Sequence, residues 1–341
     1  MSTNRKNVCN LNADVLKIIL SFMTQQDIDK LMLKIPENCT RIFKWCQLVL
    51  NINKEADFIK IRRFPFARFR FNESMGRKCI DGDRKNIAIH RSITVLNKKY
   101  PIRRMFELKK VYEFKIGGCE IQDLSILSGV KILSFRTCDI YADVSPLRNS
   151  HSVSITDCTI PFDLGKLNGI YRLNLINCKG FVNMELIGDV RVLNVSGCQN
   201  LINYDKIKST RFLDVSLTNV INASFFHNVR SLNISNTRVH DVSMLGNIYD
   251  LNLSDCKNVT DFSALGGNHV LNLSGTCIVN VSMLGNVHKI NLSHTNVSDV
   301  SMLGNAHELD LSHTKVLDIS ALCDVRVLKL FGLKRLKHAN R

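Results

Sequence analysis

From residue 229 onward a single unit is written five times: VRSLNISNTRVHDVSMLGN, IYDLNLSDCKNVTDFSALGG, NHVLNLSGTCIVNVSMLGN, VHKINLSHTNVSDVSMLGN and AHELDLSHTKVLDISALC. A repeat period of about 20 residues marks stacked coils, not an ordinary domain with one core. A coil so short cannot cover its own apolar residues, so it is stable only between neighbours. Whatever else the chain contains must extend the array, cap it or be carried by it.

Each unit opens on an apolar alternation: Leu232 and Ile234, Leu251 and Leu253, Leu271 and Leu273, Ile290 and Leu292, Leu309 and Leu311. Period two sends those pairs to one face of a strand and the residues between them to the other. A Thr or Cys follows, then a Val such as Val239, Val297 or Val316, then a closing step such as Val281-Ser282-Met283-Leu284. The turn dipeptides Gly246-Asn247, Gly285-Asn286 and Gly304-Asn305 mark the corners. The pattern resembles the leucine-rich repeat. That resemblance implies an α+β repeat protein, a solenoid with a parallel β-sheet on its concave face. First apolar positions fall at Phe114, Leu133, Val153, Leu173, Leu193, Leu213, Leu232, Leu251, Leu271, Ile290, Leu309 and Leu328, and the same period separates every pair. The solenoid is therefore expected over 111–341, ending in the basic tail LKRLKHANR as a cap.

Composition narrows the class. With 45% hydrophobic residues in 341, the chain is not a disordered one. It holds no apolar run of membrane-spanning length. MSTNRKNVCN has no apolar stretch of a secretory leader, so an intracellular location, host cytoplasm included, is expected. Of the 12 cysteines, Cys119, Cys138, Cys158, Cys178, Cys198 and Cys256 share the repeat position that Thr218, Thr237, Thr276, Thr295 and Thr314 fill elsewhere. No CxxC pair occurs, so these thiols read as small buried filler and not as zinc ligands or a redox pair. The net charge of +16 is uneven: residues 54–110 hold 17 Lys or Arg against 6 Asp or Glu, whereas 114–325 hold 16 against 19.

Ahead of the array, LNADVLKIILSFMTQQDIDKL (11–31) reads as two helices parted by Gln25-Gln26-Asp27, since Leu11, Val15, Leu16, Ile19, Leu20 and Met23 fall at helical spacing. Periodicity alone fits a helical cap. The residue order resembles the opening of the F-box: Leu11, Asp14, Val15, Leu16, Ile19, Leu20, Ser21, Phe22, Met23, Asp27, Ile28 and Leu31 match it. Asn12 stands where that family has Pro. The resemblance implies an F-box-like helical module over 8–50 whose Leu11, Val15, Leu16, Ile19, Leu20 and Phe22 bind a ubiquitin-ligase adaptor and through it a cullin. As a whole the chain resembles F-box/leucine-rich-repeat proteins, most of all those encoded by large DNA viruses. Residues 51–110 read as a basic linker or N-terminal cap, with Ile93 and Val95 opening a degenerate coil. There FIKIRRFPFARFRFN (58–72) interleaves Phe with Arg, which fits single-stranded nucleic acid. Phe64, Phe66, Phe69 and Phe71 also alternate as an ordinary strand does, and that is the reading adopted.

No nucleophile, P-loop, dinucleotide or calcium-loop signature is present, so no catalysis and no cofactor are expected. His269, His288 and His307 share one coil position, and His294 and His313 another. Stacked strands would hold each column at about 5 Å steps, with no recurring carboxylate beside them, so surface histidines and no metal are expected. A target protein is expected on the outward strand positions Asp214, Asn233, Asn252, Asn272, Asn291 and Asp310, with Phe212 and Leu217 as its apolar anchor. An Asn ladder is equally what a merely solvated sheet would show. The other function open to the chain is an interaction scaffold with no ligase link, its N-terminus only capping the array.

Overall fold

The structure is a computed structural model. It describes residue 20, residues 23–34, the strands at 49–52, 68–71, 92–96 and 101–102, and residues 112–333 apart from 119, 160–162, 181, 188 and 208. Two compact units are present, Met1–Asp163 and Leu164–Arg341.

In the first unit the helix Gln25–Lys34 lies against the strand Val49–Ile52. Its start is earlier than the sequence suggested. Thr24 Oγ1 accepts the Asp27 N–H at 3.3 Å and donates back to the Asp27 carboxylate at 2.5 Å. That cap satisfies an orphan donor of the first turn, so Gln25-Gln26-Asp27 forms the start of this helix and not the break before it. Among the candidate adaptor residues, Leu20 is described and is buried. Leu11, Val15, Leu16, Ile19 and Phe22 lie outside the described residues, as does most of the 8–50 module.

Strands Val49–Ile52, Arg68–Phe71, Ser92–Leu96, Glu113–Gly117, Ile132–Arg136 and Ser152–Thr156 pair in that order, all parallel. Apolar residues stand opposite apolar residues: Leu50, Phe69, Ile93, Phe114, Leu133 and Val153 form one row. A one-residue slip would turn every such side chain to the other face. The Phe/Arg segment thus contributes an ordinary strand at 68–71, and Ile93-Thr94-Val95 opens a coil. The sheet reaches back to Val49, into the stretch read as linker or cap.

In the second unit nine strands follow the same rule: Arg172–Ile176, Val192–Asn194, Phe212–Asp214, Ser231–Asn233, Asp250–Asn252, Val270–Asn272, Lys289–Asn291, Glu308–Asp310 and Val327–Lys329. The first apolar residues of successive coils pair directly, Leu173 through Leu328. Leu232, Leu251, Leu271, Ile290 and Leu309 are buried, as are their partners Ile234, Leu253, Leu273, Leu292 and Leu311. Each such side chain contributes about 1.5–3 kcal/mol on burial.

The coils return through 3₁₀ turns, among them Ser243–Leu245, Ser282–Leu284 and Ser301–Leu303. No α-helix occurs in the described part of this unit. A coil this short, having given up residues to a strand and two corners, has too few left for a helix of several turns. An Asn or Asp starts each turn. Asp241, Asp261, Asn280, Asp299 and Asp318 accept the N–H of the Ser two residues on, at 2.9–3.0 Å. At Gly304 the coils approach closely: a Cβ there would meet the Ala321 carbonyl oxygen at 2.5 Å.

The shared Cys/Thr position lies inside. Thr237, Thr276 and Thr295 donate to the carbonyl three residues back, at 2.6–2.7 Å. Cys198 and Cys256 donate instead to the preceding coil, to the carbonyls of Leu175 (2.9 Å) and Ile234 (3.1 Å). Burial, the largest cause, pushes the Cys256 thiol up. These groups close backbone acceptors that a dry interior would otherwise leave open.

Candidate functional site

The strands of the second unit turn their alternate residues outward, and this face carries the candidate target-binding residues. Asn194, Asp214, Asn233, Asn252, Asn272, Asn291 and Asp310 are half-buried. Each accepts, through Oδ1, the backbone N–H of the Ser two residues on, at 2.8–3.2 Å. This ladder ends each strand and starts the following turn. One acceptor per coil is therefore committed to the fold, and Asn233 Nδ2 additionally donates to Asp214 Oδ2 at 3.1 Å.

Phe212 and Leu217 are both exposed, at 42% and 52%. Phe212 is the first residue of its strand; Leu217 lies beyond the strand's end, in left-handed backbone with φ 58°. Five steps along an extended chain separate them, on the order of 15 Å. They bracket the coil and do not form one patch.

One position before the strand lies a column that strand alternation does not reach, because it belongs to the corner. It reads Tyr171, Arg191, Arg211, Arg230, Tyr249, His269, His288, His307 and Arg326 in successive coils. Its signal in the sequence is the repeat period itself. Backbone bonds tie neighbours together: Arg211 N–H to Arg191 O (3.0 Å), Arg230 N–H to Arg211 O (2.8 Å), His307 N–H to His288 O (2.8 Å). The side chains stack. The Arg230 guanidinium lies 4.9 Å from the centre of the Tyr249 ring. Tyr249 and His269 are 4.7 Å apart, His269 and His288 4.6 Å, His288 and His307 4.6 Å. His294 and His313 stack separately at 4.5 Å. Ring faces are thus taken up by neighbouring rings, leaving edges toward solvent. Among the described residues no group of three or more His, Cys, Asp or Glu is placed to hold a metal.

Toward the last coils the outward face is internally paired. Lys289 Nζ meets Glu308 Oε1 at 2.8 Å, and this contact, with His307 and His288 nearby, holds the Glu308 carboxyl below its usual range. Lys329 lies 3.7 Å from Asp310.

No family model matches the sequence, and no curated relative does. Solved structures do share its fold. An internalin of Listeria monocytogenes superposes with a TM-score of 0.53 at 16% identity, over 89% of this chain and 93% of the internalin. A leucine-rich-repeat protein of Leptospira interrogans gives 0.50 at 14%, over 80% of each chain. Toll-like receptor 13, in a complex with single-stranded RNA, gives 0.50 at 12%, over 86% of this chain and 58% of the receptor. The fold is thus a leucine-rich-repeat solenoid. No helix among the described residues is long and apolar enough to cross a membrane.

Proposed function

We propose that this chain is the target-recognition subunit of a cullin–RING (SCF-type) ubiquitin ligase. Its N-terminal helices dock the adaptor, and its repeats hold a target protein. The observation that carries the reading is the F-box-like residue order of 11–31 directly ahead of a repeat array. The capped helix Gln25–Lys34 supports it, since it falls in the later part of that pattern. Such a subunit performs no bond chemistry; it raises the concentration of target beside the ligase. Leu11, Val15, Leu16, Ile19, Leu20 and Phe22 form the proposed adaptor-binding set. Phe212, Leu217 and the outward Asp214, Asn233, Asn252, Asn272, Asn291 and Asp310 are the proposed target-facing residues.

Affinity purification from the native cell, scored for adaptor and cullin, tests the reading. Wild-type protein should retain both, and Leu16→Asp with Ile19→Asp should retain neither while its thermal melt is unchanged. Wild-type protein that never retains the adaptor rejects the ligase role. A second reading then stands, a scaffold whose N-terminus is structural. What favours it is the burial of Leu20 and the contact of helix Gln25–Lys34 with strand Val49–Ile52, the arrangement of an end cap.

A further inference from the structure

Charge in the second unit is balanced overall: residues 164–333 hold 14 Lys or Arg and 13 Asp or Glu. The arginines are nevertheless gathered. Arg172, Arg191, Arg211 and Arg230 fall in four successive coils, at the start of the strand or one position before it. All four are exposed. Coil-to-coil steps of about 4.8 Å place their backbones within about 15 Å of one another. Some cations elsewhere meet a carboxylate: Lys115 with Glu113 (2.8 Å), Lys206 with Asp205 (3.2 Å), Lys289 with Glu308 (2.8 Å). Arg172, Arg191 and Arg211 have no such partner among the described residues. Within the cluster stands Phe212, 42% exposed, between half-buried Val192 and Ser231 of the adjoining strands.

Four like charges on adjoining coils repel, and an exposed aromatic ring in their midst gains nothing from water. Arg and aromatic side chains are the types that dominate binding hot spots, and guanidinium is shaped to take a carboxylate by two parallel bonds. We infer that this face docks an acidic, extended polypeptide segment. Its carboxylates meet Arg191, Arg211 and Arg230, and an apolar side chain of the same segment covers Phe212. The inference rests on the reading that the repeats hold a protein target, and gives that target's chemistry. A peptide can interrupt its acidic run where the surface is acidic. A nucleic acid strand cannot: charged at every residue, it would be forced past Asp214 and Asp250 on the same face.

The test is fluorescence anisotropy on the full chain at about 0.15 M salt, where long-range attraction is screened. The probe is a labelled peptide of four Glu-Glu-Leu units. Binding should weaken about tenfold or more in Arg191→Glu with Arg211→Glu, and also in the milder Arg191→Gln with Arg211→Gln. Phe212→Ala should weaken it about threefold. Arg238→Glu, on another face of the coil, and Arg62→Glu with Arg63→Glu should each change it less than about twofold. Equal binding by the charge-reversed protein overturns the inference. So does loss of binding in the Arg62/Arg63 variant instead, or tighter binding of oligo(dT) that depends on the same arginines. Capture from cell extract separates the two levels. If wild-type protein and the Gln variant retain the same proteins, this docking surface is wrong and target recognition stands. If wild-type protein retains none while the peptide still binds through Arg191 and Arg211, target recognition falls and the surface stands.

Discussion

Leu217 sits where its own backbone is unwelcome. Its coil position is left-handed throughout the array, at φ +50° to +58° in Thr137, Asp157, Asn177, Asn236, Asp255, His294 and His313, and at +68° to +74° in Gly118, Gly197, Gly275 and Gly332. Gly, Asn and Asp tolerate that region, and an aliphatic side chain there costs about 1–2 kcal/mol. Leu217 is the one aliphatic residue among them and is 52% exposed, so burial does not offset the strain. Strain of this kind points toward function. Leu217→Asn should therefore raise stability by about 1 kcal/mol while weakening target retention. In urea this would appear as a later midpoint at constant slope; an earlier midpoint refutes it. The Gly/Asn/Asp preference of this position was legible in the sequence as a turn. That Leu217, His294 and His313 adopt the same left-handed backbone was not, because neither residue type signals it.

The closing turns make the coils sensitive to acid. Bonds from Ser243, Ser263 and Ser301, their backbone N–H first and hydroxyl second, hold the carboxyls of Asp241, Asp261 and Asp299 below the ordinary range. For Asp123 the Ser125 side chain is the larger cause. A carboxyl lowered in the folded state binds fewer protons there than in the unfolded chain. Its stabilisation is complete above the unfolded value near 3.9 and is lost as pH falls through the folded value. The melting temperature should thus drop as pH falls below about 4. The triple change to Asn should flatten that drop and leave neutral-pH stability nearly intact, since Asn280 and Asn222 already cap other coils. Equal acid sensitivity in the triple variant rules the caps out as its source. Strands of 112–333 were legible because alternation and a fixed period coincide. The strand at 68–71 was legible from its alternating Phe residues, but neither it nor the strand at 49–52 was legible as a coil of the array. The paired residues Phe69 and Ile93 stand further apart in the chain than any two neighbouring coil starts of the later array, and Ile93 and Phe114 do too, which breaks the period. The Arg/Tyr/His column was recognised only at His269, His288 and His307, for a related reason. It lies in a corner, where neither strand nor helix periodicity predicts direction.

Over the whole array stability is close to a sum of coils and the contacts between neighbours. Removing Val287–Asn305 joins Asn286 to Ala306, residues that already stand in the same relation as Asn305 and Ala306. The shortened protein should stay soluble and melt within a few degrees of the parent, because each coil keeps two neighbours. Removing half of the same unit should give aggregation, since buried Leu and outward Asn positions would no longer stack. Comparable melts for the two deletions would show that the period does not organise the core. The interchangeability of coils also reaches beyond folding. Segments as alike as Val281–Asn286 and Val300–Asn305 offer recombination equivalent crossing points, so a gene of this kind gains or loses a coil in one event and still encodes a closed interior. A coil gained or lost there would leave the arginine-bearing surface unaltered, because the coils that follow carry Tyr249, His269, His288 and His307 where Arg191, Arg211 and Arg230 stand.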